Sequence, residues 1–360
     1  MNLSISLGII FLVNAYIQLL LFTRIYNITR KALYNEKSEV LDVHQLKFDC
    51  YIKDFNKIYT NEEYQRRFEN FKESLREIAI LNAIEGTTVF GLTKFSDMSK
   101  QEFAERMLLK RDWSYGCQSR GRMCFKKSNL SSPIDKSTYD SNIPPAFDWR
   151  TRGVVKPVLN QKLCYGCWAF SIIGVMESMA AIRKLDRKSR SIQELLDCTT
   201  YTKRCLLGSV SYTMDYLCDD KVNVVTEEEY PLTLGVEDCQ LKANSTGRRI
   251  KEFDIQCQTS ETGMLRDIAT HGPLIALVDA SNWQNYIGGV IRRACGQYDL
   301  NHVVQIVGYN TIGDPSIGDI PYYIIRNSHG VDFGEQGYVR VAIYENVCGI
   351  ADEITKIDVD

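Results

Sequence analysis

The chain has 360 residues, of which 44% are hydrophobic, so it is long enough for two domains or one large domain with an ample core. Its formal net charge of −2 argues against nucleic acid as the main partner, because phosphate binding requires a basic surface. Twelve cysteines are many for this length and favour an oxidising compartment; buried thiols in a cytosolic protein are the alternative.

The N-terminal residues 7–22 are almost wholly apolar. They predict a signal peptide within residues 1–24, with Val13-Asn14-Ala15 as one possible cleavage site. An uncleaved membrane anchor is the alternative, since the run approaches the ~20 residues that span a bilayer. Arg24, Arg30 and Lys31 follow the run, and the positive-inside rule would then place the rest of the chain in the cytoplasm. Because that orientation conflicts with the cysteine count, we favour a cleaved signal and the secretory pathway, ending in the lysosome or outside the cell.

Residues 42–109 are polar, charged and strongly helical in pattern. The spacing predicts a long helix with one stripe formed by Glu63, Arg67, Phe71, Ser74, Ile78 and Asn82. The run Val89–Asp97 predicts a short strand, and Asp97 or Ser99 is expected to cap a helix that begins near Lys100.

Residues 110–142 have the composition of a surface linker, in which Cys117 and Cys124 could close a loop. A globular segment begins at Ile143. Its first part has helical patterns and its last part is rich in Val, Ile and Tyr, which predicts strands at 273–278, 302–309, 321–326 and 337–343. Helices followed by strands indicate an α+β fold with two lobes.

The stretch 161–170, Gln-Lys-Leu-Cys-Tyr-Gly-Cys-Trp-Ala-Phe, stands out in this segment. After Trp168, apolar residues recur at spacings of three and four, which predicts a buried amphipathic helix that starts at or near Cys167. The helix dipole and the free backbone N–H groups at such a start favour a thiolate. The pattern therefore predicts that Cys167 is a nucleophile.

A nucleophilic cysteine needs a base close by, and the chain has four histidines. His44 lies outside the globular segment, His271 is expected in a turn, and His329 lies at a strand end. His302 opens a strongly apolar strand, where a rigid scaffold can present it to a cleft. We predict that His302 is the base, although a histidine at a strand start is more often structural.

These residues resemble the papain-like cysteine proteases, with the Cys-x-x-Cys-Trp motif at 164–168 as the main signature. The resemblance covers nearly the whole chain after the signal. The stripe from Glu63 to Asn82, with Ser74 where Asn is usual, resembles the helix of the family's inhibitory propeptide. Gly91, Phe95 and Asp97 resemble a second propeptide motif, and residues 144–150 resemble the start of the mature enzyme.

The resemblance implies a papain-like fold, with a helical lobe and a β-barrel-like lobe on either side of a cleft, preceded by a helical propeptide. It implies that Cys167 is the nucleophile, His302 the general acid/base, and Asn327 the acceptor that orients the imidazole. It also implies an oxyanion hole formed by the Gln161 amide and the Cys167 backbone N–H.

The resemblance further implies three disulfides, Cys164–Cys205, Cys198–Cys239 and Cys295–Cys348. A Cys218–Cys257 bridge is a hypothesis, and Cys50 has no assigned partner. No metal ion or other cofactor is expected.

Several positions depart from the family pattern. In the pocket beside the nucleophile, Tyr165 and Leu207 replace smaller residues and leave Gly208, which is expected to narrow or close that pocket. His329 and Phe333 replace two tryptophans, and His329 is expected to leave the His302–Asn327 hydrogen bond wetter and weaker. Glu353 occupies the position that in the family forms the floor of the second substrate pocket, which binds the residue two before the cleaved bond. A carboxylate there predicts that Arg or Lys is tolerated at that substrate position. A solvated surface glutamate is the alternative.

The sequence thus predicts a signal peptide at 1–24, a propeptide and linker at 25–142, and a peptidase domain at 143–360. We expect a monomeric cysteine endopeptidase that is made as an inactive precursor, acts on peptides or proteins and is inhibited by its own propeptide. A protease-like binding protein with little or no activity is the alternative. Asn-x-Ser/Thr sequons at Asn27, Asn129 and Asn244 are compatible with a secreted glycoprotein.

Overall fold

A computed structural model describes residues 23, 43–109, 120–123, 143–199, 205, 208–220, 222–235, 237–242, 245–296, 299–315 and 318–360. The apolar run at 7–22, Cys117 and Cys124, the asparagines of the three sequons and Leu207 lie outside the described residues. None of the described helices combines the length and the apolar character that a membrane crossing requires.

The chain forms two compact units, one up to Phe68 and one from Glu69 to the end. The first contains helix α1 (Val43–Asp54) and the start of helix α2 (Asn61–Glu85). In this unit the buried ring of Phe48 packs against other aromatic rings, among them those of Tyr51, Tyr59, Tyr64 and Phe68. Aromatic burial of this kind explains why so polar a segment holds a defined structure.

The second unit begins with the rest of α2 and helix α3 (Lys100–Met107). Asn82 closes the turn after α2, because its Oδ1 accepts from the N–H groups of Val89 and Phe90, both at 2.9 Å. Ser99 is the N-cap of α3 and accepts from Glu102 N–H, so of the two predicted caps it is Ser99 that acts. The predicted strand at 89–97 is wrong, since only Phe90 forms a β-bridge and residues 94–97 form a turn.

Helices α4 (Cys167–Ile182), α5 (Ile192–Cys198) and α6 (Val210–Asp219) form a helical lobe. Every residue of α4 from Cys167 to Ala180 is buried, so the predicted amphipathic helix has no solvent face there. The reason is that α4 contacts α5 and α6 as well as sheet strands in the other lobe. A helix that is hydrophobic all round is the expected solution for such a site.

Among the fully described residues, the remaining elements are a sheet with one helix, α7 (Glu261–Thr270), and three short 3₁₀ helices. The strands are β1 (Arg120–Met123), β2 (Ala146–Asp148), β3 (Ile250–Cys257), β4 (Leu274–Val278), β5 (Val290–Ile291), β6 (His302–Asn310), β7 (Tyr322–Arg326), β8 (Tyr338–Ala342) and β9 (Glu353–Val359). The 3₁₀ helices are Trp149–Arg152, Trp283–Asn285 and Val347–Gly349.

The sheet has the order β1-β3-β9-β4-β6-β7-β8-β5, and β2 pairs with β6. All pairs are antiparallel except β5 with β8. The four predicted strands are present as β4, β6, β7 and β8, whereas the other five were not predicted, and one of these, β1, lies within the predicted linker. The α+β prediction is therefore confirmed, with one hydrophobic core around α4 and another under the strands.

Three disulfides join described cysteines, and they are the pairs that the resemblance implies: Cys164–Cys205, Cys198–Cys239 and Cys295–Cys348. Cys218 and Cys257 are each disulfide-bonded as well, but no bridge between these two is among those that join described cysteines. Cys50 is a free, exposed thiol and Cys167 a free, buried one.

Candidate active site

Cys167 is the first residue of α4, and its side chain is fully buried. The backbone N–H groups of Val303, Trp168 and Cys167 itself lie near its sulfur and lower the pKa of its thiol, against the larger effect of burial. Two of these donors belong to the helix start, as the sequence predicts, and the third lies one residue after His302. The sulfur of Cys167 is therefore held beside the first turn of α4 and the start of β6.

His302 is the first residue of β6, and Asn327 directly follows the neighbouring strand β7. His302 Nε2 lies 2.7 Å from Asn327 Oδ1. Because that Oδ1 also accepts the Ser328 N–H at 2.8 Å, it is an acceptor, and Nε2 must carry the proton. The adjacent ends of two antiparallel strands thus fix the tautomer of the imidazole.

The other ring nitrogen, His302 Nδ1, is buried and has no hydrogen-bond partner among the described residues. With the proton on Nε2, Nδ1 presents a lone pair. That lone pair can accept the proton of a thiol, which is what a general base beside a cysteine must do.

Gln161 is fully buried, and each of its side-chain polar atoms is engaged. Its Oε1 accepts from the Ser328 hydroxyl, and its Nε2 donates to Cys164 O at 2.9 Å. Nε2 also lies 3.3 Å from Met107 O, at the end of α3. A backbone carbonyl oxygen thus occupies the donor that the sequence assigns to an oxyanion hole.

Burial determines the charge state of the pair in this covered site. It raises the pKa of the Cys167 thiol to about 12 and lowers the pKa of His302 to about 4, although the Asn327 hydrogen bond acts against the second shift. Between these values, the neutral thiol and neutral imidazole are favoured. The Cys167–His302 pair is therefore unreactive while the site is covered.

Residues of the predicted propeptide cover the site around His302 and Gln161. Leu109 N–H donates to Asn301 O at 2.6 Å, directly before His302. Lys94 Nζ donates to His329 O and to Asp332, both at 2.6 Å. The segment that runs from α3 thus passes His302 as well as Gln161.

His329 lies against His302, with ring centroids 5.0 Å apart and planes tilted by 31°. The ring is fully buried, and neither of its nitrogens has a hydrogen-bond partner among the described residues. The rings of Phe95, Phe103 and Phe333 surround it edge-on. The prediction of a wetter His302–Asn327 bond does not apply to this covered form, because aromatic rings exclude water from His329.

We expect His329→Trp to change how the stability of the precursor depends on pH. Burial, His302 and Lys94 hold the pKa of His329 well below its usual value, so below about pH 6.5 the unfolded chain binds a proton that the folded chain does not. The free energy of unfolding should therefore fall by up to about 1.4 kcal/mol per pH unit as the pH drops, and the substitution removes this contribution.

Urea unfolding between pH 7.5 and 4.5 measures the effect, with Cys167→Ser in both proteins to prevent thiol chemistry. Glu177 and Glu194, whose burial raises each pKa to about 7, act with the opposite sign in this range. Because both proteins carry them, they cancel in the difference. Parallel curves for the two proteins would contradict the assignment.

The predicted pocket residues have different surroundings. Tyr165 is half-buried, its N–H donates to Cys205 O at 3.2 Å, and burial raises the pKa of its hydroxyl. A Cβ added at Gly208 would lie 1.8 Å from Trp168 Nε1, so the indole ring occupies the space beside this glycine. Glu353, at the start of β9, is only 7% exposed, which excludes the alternative of a solvated surface residue.

Two residues of the site were not predicted from the sequence. Ser328 orients Gln161 through its hydroxyl and its carbonyl oxygen, which accepts the Gln161 N–H at 2.8 Å. The ring of Trp283 packs edge-on against His302, with centroids 6.2 Å apart. No motif or periodicity marks either of them, because both contacts join distant segments. Among the described residues, no group of three or more His, Cys, Asp or Glu side chains could hold a metal ion.

Comparison with protein families gives two matches along the chain. The family described as "Papain family cysteine protease" matches residues 143–357. The "Cathepsin propeptide inhibitor domain (I29)" matches residues 48–103, which include the predicted propeptide helix.

Individual relatives agree with these matches. Human cathepsin O (Homo sapiens) is 33% identical over 81% of this chain and 88% of its own length. Cysteine proteinase 1 of Dictyostelium discoideum is 34% identical over 84% of this chain and 89% of its own. Among solved structures, the recombinant stem bromelain precursor has a TM-score of 0.72 at 28% identity and covers 88% of this chain and 99% of its own. A digestive procathepsin L 3 from Tenebrio molitor larval midgut has a TM-score of 0.69 at 27% identity, with the same coverage.

Proposed function

Because the chain belongs to the papain family of cysteine proteases and carries the family's inhibitory propeptide, we propose that Cys167, His302 and Asn327 are the catalytic residues of an endopeptidase. The observation that carries this proposal is the 2.7 Å contact of His302 Nε2 with Asn327. It leaves Nδ1 as a free base at the start of β6, and the N–H of the next residue, Val303, lies near the Cys167 sulfur.

In the first half of the reaction, His302 Nδ1 takes the thiol proton and the sulfur of Cys167 attacks the peptide carbonyl carbon. The electron pair of the C=O bond moves to oxygen. The Gln161 Nε2–H and the Cys167 backbone N–H stabilise that oxyanion. The C–N bond then breaks, and Nδ1 returns the proton to the departing amine, which leaves a thioester on Cys167.

In the second half, a water molecule attacks the thioester carbonyl and gives a proton to His302 Nδ1. The same donors hold the second oxyanion. The C–S bond breaks, the carboxylic acid product leaves, and the proton on Nδ1 returns to the sulfur. Asn327 accepts from Nε2 throughout, so the ring stays in the orientation that both proton transfers need.

The position of Met107 O on Gln161 Nε2 supports inhibition by the propeptide. A carbonyl at the oxyanion donor excludes a substrate carbonyl from it, and burial keeps Cys167 and His302 neutral. We assign residues 25–142 to the leader and linker and residues 143–360 to the mature enzyme. The three disulfides support the secretory pathway, with the lysosome or the extracellular space as the destination of a monomer.

A protease-like binding protein is the second candidate, and the residues around the site are the reason. Tyr165, which is half-buried beside Cys205, and His329, which replaces a tryptophan, both depart from the family pattern. If the pocket beside Cys167 is closed, peptides would bind without being cut. The preference for Arg or Lys two residues before the cut, through Glu353, stays a prediction.

Labelling of the activated protein tests the proposal. Purified precursor is acidified to release the propeptide and then treated with a thiol-directed epoxide probe. We expect one label per chain on Cys167, because a thiolate in the uncovered site reacts fastest. The label should be absent in Cys167→Ser and in His302→Ala.

His271→Ala is the matched control for His302→Ala, since the His271 imidazole contacts Ile357 O and none of the proposed catalytic residues. This variant should still be labelled. A folded, processed protein that takes up no label, or that is labelled equally after His302→Ala, would make the binding protein the better description.

A further inference from the structure

A carboxylate of the predicted propeptide is bound by consecutive backbone N–H groups of the peptidase domain. Glu85, the last residue of α2, is fully buried. Its Oε1 accepts from the N–H groups of Arg292, Arg293 and Ala294 at 3.0, 2.9 and 2.8 Å. Oε2 also lies 3.2 Å from Arg292 N. Three successive N–H groups on one oxygen form the backbone arrangement known as an anion-binding nest.

The side chain of Arg292 completes this nest. Its Nε lies 3.6 Å from Glu85 Oε2, and its Nη2 donates to the backbone carbonyl of Glu85. The carboxylate therefore meets backbone dipoles and a guanidinium together, which is a strong combination for an anion. None of these groups takes part in the proposed chemistry at Cys167.

The loop at 292–294 is held in place by contacts within residues 143–360. On one side, Val290 and Ile291 of β5 pair with β8. On the other side, Cys295 is bridged to Cys348, and Ala294 O accepts from Asn282 Nδ2 at 3.1 Å. Because these contacts do not involve Glu85, the nest keeps its shape when the propeptide leaves. Ala294 N–H, buried in the precursor, then lacks an acceptor.

The nest is also connected to the active site. Asn282, which holds Ala294, directly precedes Trp283, and the ring of Trp283 packs against His302. A polypeptide that reaches the nest therefore contacts the lobe that supplies the general base.

We propose that the mature enzyme uses the backbone N–H groups of residues 292–294, with Arg292, as a second binding site for a carboxylate side chain of an acidic polypeptide. The proposal rests on the proposed function in one respect, since the site is vacated only when the propeptide is removed. Glu85 shows the chemistry of the ligand: a side-chain carboxylate on a polypeptide, bound end-on by the nest. Substrates that bind more tightly through this site are those that carry Glu or Asp outside the segment bound at Cys167.

The test uses the full chain with Cys167→Ser and a site-specific protease sequence inserted between residues 110 and 116, before β1, which pairs with β3 and stays with the peptidase domain. After folding, the added protease cuts the chain and the leader is removed, so no activity of the chain itself is needed. Two fluorescent peptides are compared by anisotropy, one with the sequence of residues 77–90 and one with the same sequence carrying Glu85→Gln. We expect the parent peptide to bind at least about tenfold more tightly.

An unrelated eight-residue oligoglutamate peptide is then added as a competitor, with oligoglutamine as its control. Displacement by oligoglutamate alone supports a site for acidic polypeptides in general. Equal affinity of the parent peptide and the Glu85→Gln peptide overturns the proposal. A difference between these two without displacement by oligoglutamate also overturns it, because the nest would then serve only the propeptide.

Arg292→Ala should reduce the difference between the two peptides several-fold, whereas Arg152→Ala, on an exposed 3₁₀ helix, should leave it unchanged. The peptide comparison needs no substitution in the nest, so it stands even if Arg292→Ala does not fold. If the enzyme that retains Cys167 hydrolyses no peptide while the affinity difference persists, the proposed function fails and the binding site remains.

Discussion

Alanine in place of His302 is expected to lower kcat/KM for peptide hydrolysis by about three to four orders of magnitude. The thiol of Cys167 then has no base to take its proton, and the departing amine has no acid. His329 does not substitute, because its ring packs beside that of His302 and against Phe333, and does not lie at the position of the His302 ring. The mature enzyme is assayed with a fluorogenic peptide, and kcat and KM are determined separately.

His271→Ala is the matched control. That imidazole follows α7, and its Nε2 contacts Ile357 O at 2.9 Å, so it has no part in the proposed proton transfers. We expect kcat/KM to stay within about twofold of the parent, as is usual for substitutions away from a site. A similar loss in both variants would mean that His302 acts through stability and not as the acid/base.

Removing the amide of Gln161 should lower kcat by about 10²–10³-fold with little change in KM. Its Nε2–H is aimed at a carbonyl oxygen in the precursor and, in our proposal, at the oxyanion in the transition state. Gln161→Glu keeps the size of the side chain and removes the donor, so it should cost about as much as Gln161→Ala. Steady-state kinetics on the activated enzyme measure both.

Ser328→Ala tests the orientation of the Gln161 amide separately from the presence of its N–H donor. The Ser328 hydroxyl donates to Gln161 Oε1, so its loss loosens the amide without removing the N–H. A fall in kcat of several-fold is expected, clearly smaller than for Gln161→Glu. If Ser328→Ala is as damaging as Gln161→Glu, the amide acts by holding the loop and not by binding an oxyanion.

Local patterns were enough to predict much of the structure. The helix that starts at Cys167, the strand that opens with His302 and the cap at Ser99 each follow from a few neighbouring residues. In each case the signal is a periodicity or a hydrogen bond within one turn. The disulfides and the proposed role of Asn327 came from the family resemblance, since no spacing rule pairs distant residues.

The errors and omissions share a cause, which is that distant segments decide the outcome. The run at 89–97 has the composition of a strand, but it forms a turn because Thr93 and Ser96 bond to the loop at Gln284 and Asn285. The polar face expected for α4 is absent because strands cover it. Glu85 looks like an ordinary helix-end glutamate until the structure places residues 292–294 over it.

The burial of Cys167 also affects how easily its thiol is oxidised. A protein that forms disulfides during folding exposes every accessible thiol to the same oxidants, and exchange proceeds through the thiolate. With no exposed surface and a pKa of about 12, Cys167 offers almost no thiolate to attack a disulfide or an oxidant at neutral pH. In the folded precursor, where the bridge between Cys164 and Cys205 lies beside it in the sequence, the proposed nucleophile is thus protected from exchange and oxidation. The propeptide is then a protecting group as well as an inhibitor.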